Sequence, residues 1–208
     1  VEVQVGEIER WWPRGHGAQP LYDVGVTVRT PHAVLDTASR RVGFRTVRWD
    51  TERDEAGTPF QLIVNDRPIY VKGVNWIPDS ILPGTLSRSD YEHRLTQALD
   101  ANANFVRVWG GGIYESDDFY DICDELGLLV WQDFLFSCAA YPEEEPLRSE
   151  VLAEARDNVA RLSGHPGLIL WNGTNENLWL HEEKQWADKE GGTLTWGERY
   201  YREWLPEI

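Results

Sequence analysis

Four short apolar segments of this sequence each end in a tryptophan with a charged or amide side chain beside it. The first runs into Asn75-Trp76, the second into Arg107-Val108-Trp109 and three glycines, the third into Trp131-Gln132-Asp133. The fourth ends in Trp171-Asn172-Gly173-Thr174-Asn175-Glu176-Asn177. An indole face is an apolar platform, while carboxylate, amide and guanidinium groups hydrogen-bond hydroxyls. A sugar offers both kinds of surface, an apolar ring face and a fringe of hydroxyls, so these four ends together suit a carbohydrate pocket. The competing expectation is that each tryptophan packs between sheet and helices. Their recurrence at one topological end favours the pocket.

The elements that must position these residues read as strands and helices in alternation. A helix capped at Ser89-Asp90 carries Tyr91, Leu95, Ala98 and Leu99 at helical spacing. After the strand Phe105 to Trp109, Ser116 caps a second helix with Asp117 and Asp118 in its first turn, and Gly127 stops it. Leu128 to Phe134 is a strand, and a third helix carries Leu152, Ala155, Val159 and Leu162 before Gly164 and Pro166. Leu168 to Trp171 is the last strand, and Thr195 to Leu205 a fourth helix. Such repetition predicts βαβ units and a parallel sheet. The first strand, Ile69 to Val74, lacks the Gly-rich phosphate loop of a doubly wound sheet. The better fit is a (β/α)8 barrel at about 31 residues per unit, with strands one to four, about half of it, in residues 69–208.

Upstream the pattern is β. Val1 to Ile8, Leu21 to Val28 and Val42 to Trp49 alternate apolar and polar residues. These strands are too few to close a sandwich of about seven, so they read as the tail of one. Asp50 to Pro59 is polar and is the boundary candidate, giving domains 1–53 and 54–208. Beyond it, Phe60 to Val64 and Ile69 to Lys72 read as a hairpin around a four-residue loop, Asn65-Asp66-Arg67-Pro68.

Composition narrows the function. The net charge of −15 argues against nucleic acid, and no apolar run reaches the roughly 20 residues of a membrane span. Two cysteines make no disulfide framework, and Cys123 falls on an apolar helix face. No metal site is expected, because the strand ends carry no histidine and His181-Glu182-Glu183 lacks a second histidine four residues on. Gly110 to Gly112 reads as a tight turn, Glu143 to Glu145 as a solvated loop, and the glycosylation sequon at Asn172 as unmodified because it sits at the predicted mouth. A chain that starts at Val1 and contains no methionine is expected to be a piece of a longer one.

The strand-end motifs carry a resemblance. Val71-Lys-Gly-Val-Asn-Trp-Ile-Pro78, Val106-Arg-Val-Trp-Gly-Gly-Gly112, Trp131-Gln-Asp-Phe134 and Trp171-Asn-Gly-Thr-Asn-Glu-Asn177, with Trp11-Trp12-Pro-Arg-Gly-His-Gly-Ala-Gln-Pro-Leu-Tyr22 and Val42-Gly-Phe-Arg45, resemble glycoside hydrolase family 2, and within it the β-mannosidases. The resemblance implies the end of an immunoglobulin-like β-sandwich followed by the first half of a TIM barrel. It implies Glu176 as general acid/base, Asn175 near the sugar 2-hydroxyl, and Arg107 as support for the nucleophile carboxylate. Trp109, Trp76 and Asp133 carry over as wall and hydroxyl contacts. Trp171 and Trp179 are expected to give Glu176 the apolar surround that keeps a carboxyl protonated. The family nucleophile, a glutamate ending strand seven, falls about 90 residues past Glu176 and so beyond Ile208. The implied activity is retaining hydrolysis of terminal β-mannose from oligosaccharides or glycoconjugates, without cofactor, nucleic-acid or membrane partner; the acidic pI of about 4.7 leads us to expect a bacterial cytoplasm. Another family 2 β-glycosidase and an inactive sugar-binding relative are the alternatives, and isolated residues 1–208 are expected to be inactive.

Overall fold

The computed structural model describes residues 3–184 and 196–208. Strands β1 (Tyr22–Arg29) and β2 (Val34–Val42) form an antiparallel hairpin in register from Tyr22 opposite Val42, with an irregularity at Val28 and Arg29. The first predicted strand does not form: among its described residues, 3–8 are irregular. Nor is Val42 to Trp49 one strand. Val42 closes β2, and β3 (Val47–Asp50) belongs to a different sheet.

The break between them has a physical cause. Gly43 lies so close to Pro166 and Trp11 that a Cβ there would sit 2.7 Å from the proline ring. Arg45 donates from Nε to the Pro166 carbonyl and from Nη2 to that of Leu168. Residues 43–46 thus fasten the hairpin to the α/β part instead of continuing a strand.

Strands β4 (Gln61–Val64) and β5 (Arg67–Ile69) complete a three-stranded antiparallel sheet in the order β3-β4-β5. The connection is a two-residue turn, not the expected four-residue loop. Asn65 and Asp66 both take positive φ, 50° and 66°, which matches a type I′ turn and leaves Arg67 and Pro68 in the strand. This sheet joins residues on both sides of position 53.

The remaining strands, β6 (Gly73–Trp76), β7 (Phe105–Val108), β8 (Leu129–Asp133) and β9 (Leu168–Asn172), form a parallel sheet in sequence order. Helices α1 (Arg88–Asp100), α2 (Asp117–Leu126) and α3 (Leu147–Leu162) connect them. Alternation at period two divides the sheet into two faces. Trp76, Val106, Val108, Val130 and Leu168 pack with Tyr91, Leu95, Phe119, Ile122, Cys123 and Leu162 of the helices. On the other face Phe105 and Leu129 pack with Leu62, Val64 and Ile69 of the antiparallel sheet and with Trp11.

Helix ends follow local chemistry. Ser87, two residues before the predicted cap, starts α1: its backbone N–H donates to Asp90 Oδ2 at 2.8 Å in a capping box. Gly127 ends α2 at φ 75°, and its carbonyl accepts the Arg14 N–H at 2.8 Å. A Cβ at Gly127 would lie 2.7 Å from that Arg14 nitrogen. Gly127→Ala is therefore expected to cost at least the ~1–2 kcal/mol of a left-handed alanine. A thermal melt of the full-length protein that matches wild type would refute this.

The chain ends differently from expectation. A short helix α4 (Asn177–Glu182) follows β9. The predicted helix Thr195 to Leu205 begins outside the described residues; within them a π-helical turn, Tyr200–Trp204, precedes a 3₁₀ turn, Leu205–Glu207. Among the described residues no helix is long and apolar enough to cross a membrane.

Candidate active site

The parity of the parallel strands decides which side chains meet at their C-terminal ends. On β7, Val106 and Val108 face the helices, so Arg107 faces the other way, level with Trp131 of β8. Asp133, two residues on, shares that face. Arg107 donates to it twice, from Nε to Oδ1 at 3.2 Å and from Nη2 to Oδ2 at 2.7 Å. The indole N–H of Trp131 and the Asn172 amide also donate to Oδ1, each at 2.8 Å, and the Gly110 N–H donates to Oδ2 at 3.1 Å. Asp133 is fully buried. With five donors on two oxygens it has no lone pair facing a ligand, so it is not the sugar-hydroxyl contact the resemblance implied. It anchors Arg107.

Arg107 carries the network to β9. Its Nη2 also donates to Asn175 Oδ1 at 2.8 Å. Among the described residues Nη1 has no hydrogen-bond partner, and the side chain is 25% exposed. A charged donor thus remains for an incoming carboxylate. Asn175 is itself buried. Its backbone N–H donates to the Phe136 carbonyl at 2.9 Å, and its carbonyl accepts the Cys138 N–H at 3.1 Å.

Glu176 stands apart from this network. It is exposed and precedes α4 at φ 64° and ψ 0°. A left-handed conformation costs a residue with a Cβ about 1–2 kcal/mol, and such strain gathers at functional sites. Arg107 is committed to Asp133 and Asn175, so Glu176 is not a buried carboxylate neutralised by that arginine. The thiol of Cys138 lies 3.4 Å from its Oε2. The rings expected to surround Glu176 are engaged elsewhere. Trp171 stacks on Phe134 at 4.9 Å, and Trp179, 41% exposed, donates its N–H to Glu183.

The four strand-end tryptophans divide into two pairs. Trp76 turns into the helix layer, where its ring lies 4.9 Å from that of Phe119 and its N–H donates to the buried Glu115 carboxylate at 2.9 Å. It is a core residue, against the expectation of a pocket wall. Trp171 also packs with core aromatics. The other two lie nearer the arginine and the cleft: Trp131 packs edge-on against Phe105 at 6.4 Å beneath the Arg107 guanidinium at 5.5 Å, and the Trp109 ring folds over Gly111, leaving no room for a Cβ there. An open cleft of about 450 Å³ runs past Trp109, Gly110, Leu135, Ser137, Cys138 and Tyr141.

Sequence reasoning gave Asn172 no individual role beyond its place in the strand-end motif and in a glycosylation sequon. Its Nδ2 is held by Asp133 Oδ1 and the Thr174 carbonyl, each at 2.8 Å. Among the described residues one group, Asp121, Asp124 and His165, comes close enough to hold a cation. It lies away from the strand ends, and its members are used in packing. His165 Nδ1 is 2.6 Å from Asp124 Oδ2, Asp124 Oδ1 accepts the Gly167 N–H, and Arg41 reaches Asp121 at 3.5 Å. Burial raises the Asp124 carboxyl above the usual range, against the pull of His165.

Residues 1–45 match the sequence model of the glycosyl hydrolases family 2. The chain is 44% identical over 172 residues to a β-mannosidase of Capra hircus, covering 82% of this chain and 20% of that protein. It is 39% identical over 198 residues to β-mannosidase B of Thermothelomyces thermophilus, covering 94% and 22%. A crystal structure of β-D-mannosidase from Dictyoglomus thermophilum superposes with a TM-score of 0.87 at 44% identity, covering 95% of this chain and 24% of that one. The chain spans about a fifth of the length of the curated relatives it matches.

Proposed function

The chain belongs to the glycosyl hydrolases family 2, and from that premise we propose that the protein carrying it is a retaining exo-β-mannosidase. It releases terminal, non-reducing β-D-mannose from oligosaccharides or glycoconjugates. Residues 1–53 are the end of an immunoglobulin-like sandwich, and 54–208 the first half of a (β/α)8 barrel whose strand ends form the sugar site. The parallel order of β6 to β9 and the site at their C-terminal ends support this.

Retention needs two carboxyls about 5–5.5 Å apart. Glu176 is the proton donor, and the nucleophile is a glutamate from strand seven, past Ile208. In the first step the nucleophile bonds to the anomeric carbon while Glu176 gives its proton to the departing glycosidic oxygen. In the second, Glu176 takes a proton from water as that water's oxygen displaces the nucleophile. Asn175, fixed by Arg107, hydrogen-bonds the 2-hydroxyl, and Arg107 Nη1 receives the nucleophile carboxylate. Trp109 supplies an apolar wall. One observation carries the reading: Arg107 is committed to Asp133 and Asn175, which leaves the Glu176 carboxyl exposed at the mouth.

The sugar is tested with a panel of nitrophenyl β-glycosides on the full-length protein. We expect the β-mannoside to exceed the β-glucosaminide, β-galactoside and β-glucuronide by about 10²-fold or more in kcat/KM, because a site built to hydrogen-bond one hydroxyl arrangement leaves its polar groups unpaired with another. The glucosaminide is the informative competitor, since an exo-chitosanase of Amycolatopsis orientalis shares the fold at TM-score 0.70 and 27% identity. A preference for any of the other three sugars would contradict the mannosidase assignment.

A further inference from the structure

The segment that follows β8 contacts the one that follows β9 residue against residue. Ser137 forms an isolated parallel bridge with Asn175, and its hydroxyl oxygen accepts the Asn175 amide at 3.3 Å. Cys138 Sγ accepts from the same amide at 3.4 Å and donates to Glu176 Oε2 at 3.4 Å. The Ala139 N–H donates to Asn177 Oδ1 at 3.2 Å. Like Glu176, Cys138 has a left-handed backbone, at φ 50°, so strain at both positions brings the two side chains together. Tyr141 braces the segment from behind, its hydroxyl oxygen accepting the Ser137 N–H at 2.9 Å.

An exposed glutamate is a poor proton donor if its rotamer wanders, since fixing such a side chain costs up to about 2 kcal/mol. Among the described residues, the Cys138 thiol is the one side chain that hydrogen-bonds the Glu176 carboxyl. A thiol is a weak donor, which suits a partner that orients a carboxyl without competing for the proton it must transfer. We infer that Cys138 is a positioning residue for catalysis, bridging Asn175 and Glu176 so that the carboxyl meets the glycosidic oxygen while Asn175 meets the sugar. This rests on the acid/base role proposed for Glu176.

A residue that positions a general acid matters most when the leaving group needs a proton. In the full-length enzyme, Cys138→Ala is expected to lower kcat/KM on phenyl β-mannoside by about tenfold, a fraction of the 10²–10⁴ a general acid supplies. Its kcat/KM on 2,4-dinitrophenyl β-mannoside should stay close to wild type, because that leaving group departs unprotonated and kcat/KM does not include the later base-assisted hydrolysis. Cys138→Ser, which keeps a donor and an acceptor, should recover most of the loss. Equal loss on both substrates, no loss on either, or a serine variant no better than alanine would each overturn the inference. Melting curves of both variants identify a folding defect, which the serine variant bypasses. Glu176→Ala is assayed in parallel: if it too lacks leaving-group dependence, the acid/base reading fails, whereas a flat response of Cys138→Ala alone removes only the positioning role.

Discussion

Glu176→Ala is expected to lower kcat/KM on phenyl β-mannoside by about 10²–10⁴-fold, the usual contribution of a general acid. Arg107 is occupied by Asp133 and Asn175, so loss of the Glu176 carboxyl strips no buried cation of its partner. Glu176 is exposed, makes no side-chain capping bond to α4, and already holds its left-handed φ with a Cβ, so alanine there adds little backbone cost and folding should be little affected. The chemical loss should depend on the leaving group. With dinitrophenolate the first step needs no proton, and the glycosyl-enzyme forms but hydrolyses slowly for want of a base. A low kcat with a low KM is the expected signature. Equal losses on good and poor leaving groups would mean that Glu176 acts some other way.

Asp133→Ala carries the largest expected effect on stability. The carboxylate is fully buried and accepts from Arg107, Trp131, Gly110 and Asn172. Removing it leaves the guanidinium without its ion-pair partner and three further donors unpaired. Breaking one side of a buried ion pair costs about 3–5 kcal/mol, and each orphaned buried donor adds to that. Activity should fall as well, since Arg107 then lacks the group that aims it at Asn175. Asp133→Asn is the milder control: its carbonyl oxygen still accepts, but its NH₂ faces an arginine. Denaturant titration of the full-length protein reads the difference. An alanine variant within about 1 kcal/mol of wild type, the range of an ordinary substitution, would refute the anchoring role.

Much of the α/β part is legible in the amino-acid sequence because its signals are local. Ser116 before two aspartates and Gly127 after Leu126 bracket α2 as read, and Phe105 and Leu168 open strands at the expected residues, with Leu129 one residue past the expected Leu128. What stayed hidden depends on partners. The strand Val34–Val42 mixes apolar and polar residues on each face and is exposed along most of its length, so no alternation announced it. Trp76 and Trp171 were expected at the mouth because they end strands. Period two says that neighbours face opposite ways, but in a sheet buried on both sides it does not say which way is in. The direction was set by Tyr91, Phe119 and Phe134. Asp133 was read as a ligand contact for the same reason, its donors being distant in sequence. Cys138 gave no signal, since its role arises only where two loops meet.

The account turns on Glu176 as the acid/base of a retaining enzyme, and one measurement addresses that directly: the anomeric configuration of the azide adduct formed by full-length Glu176→Ala from 2,4-dinitrophenyl β-mannoside, read by NMR. Azide needs no base and attacks the glycosyl-enzyme from the face that Glu176 vacated, so the second inversion restores the starting configuration. The account predicts accelerated turnover and a β-mannosyl azide. An α-mannosyl azide would make Glu176 the nucleophile, and the absence of either azide adduct at every azide concentration would remove Glu176 from the chemistry altogether.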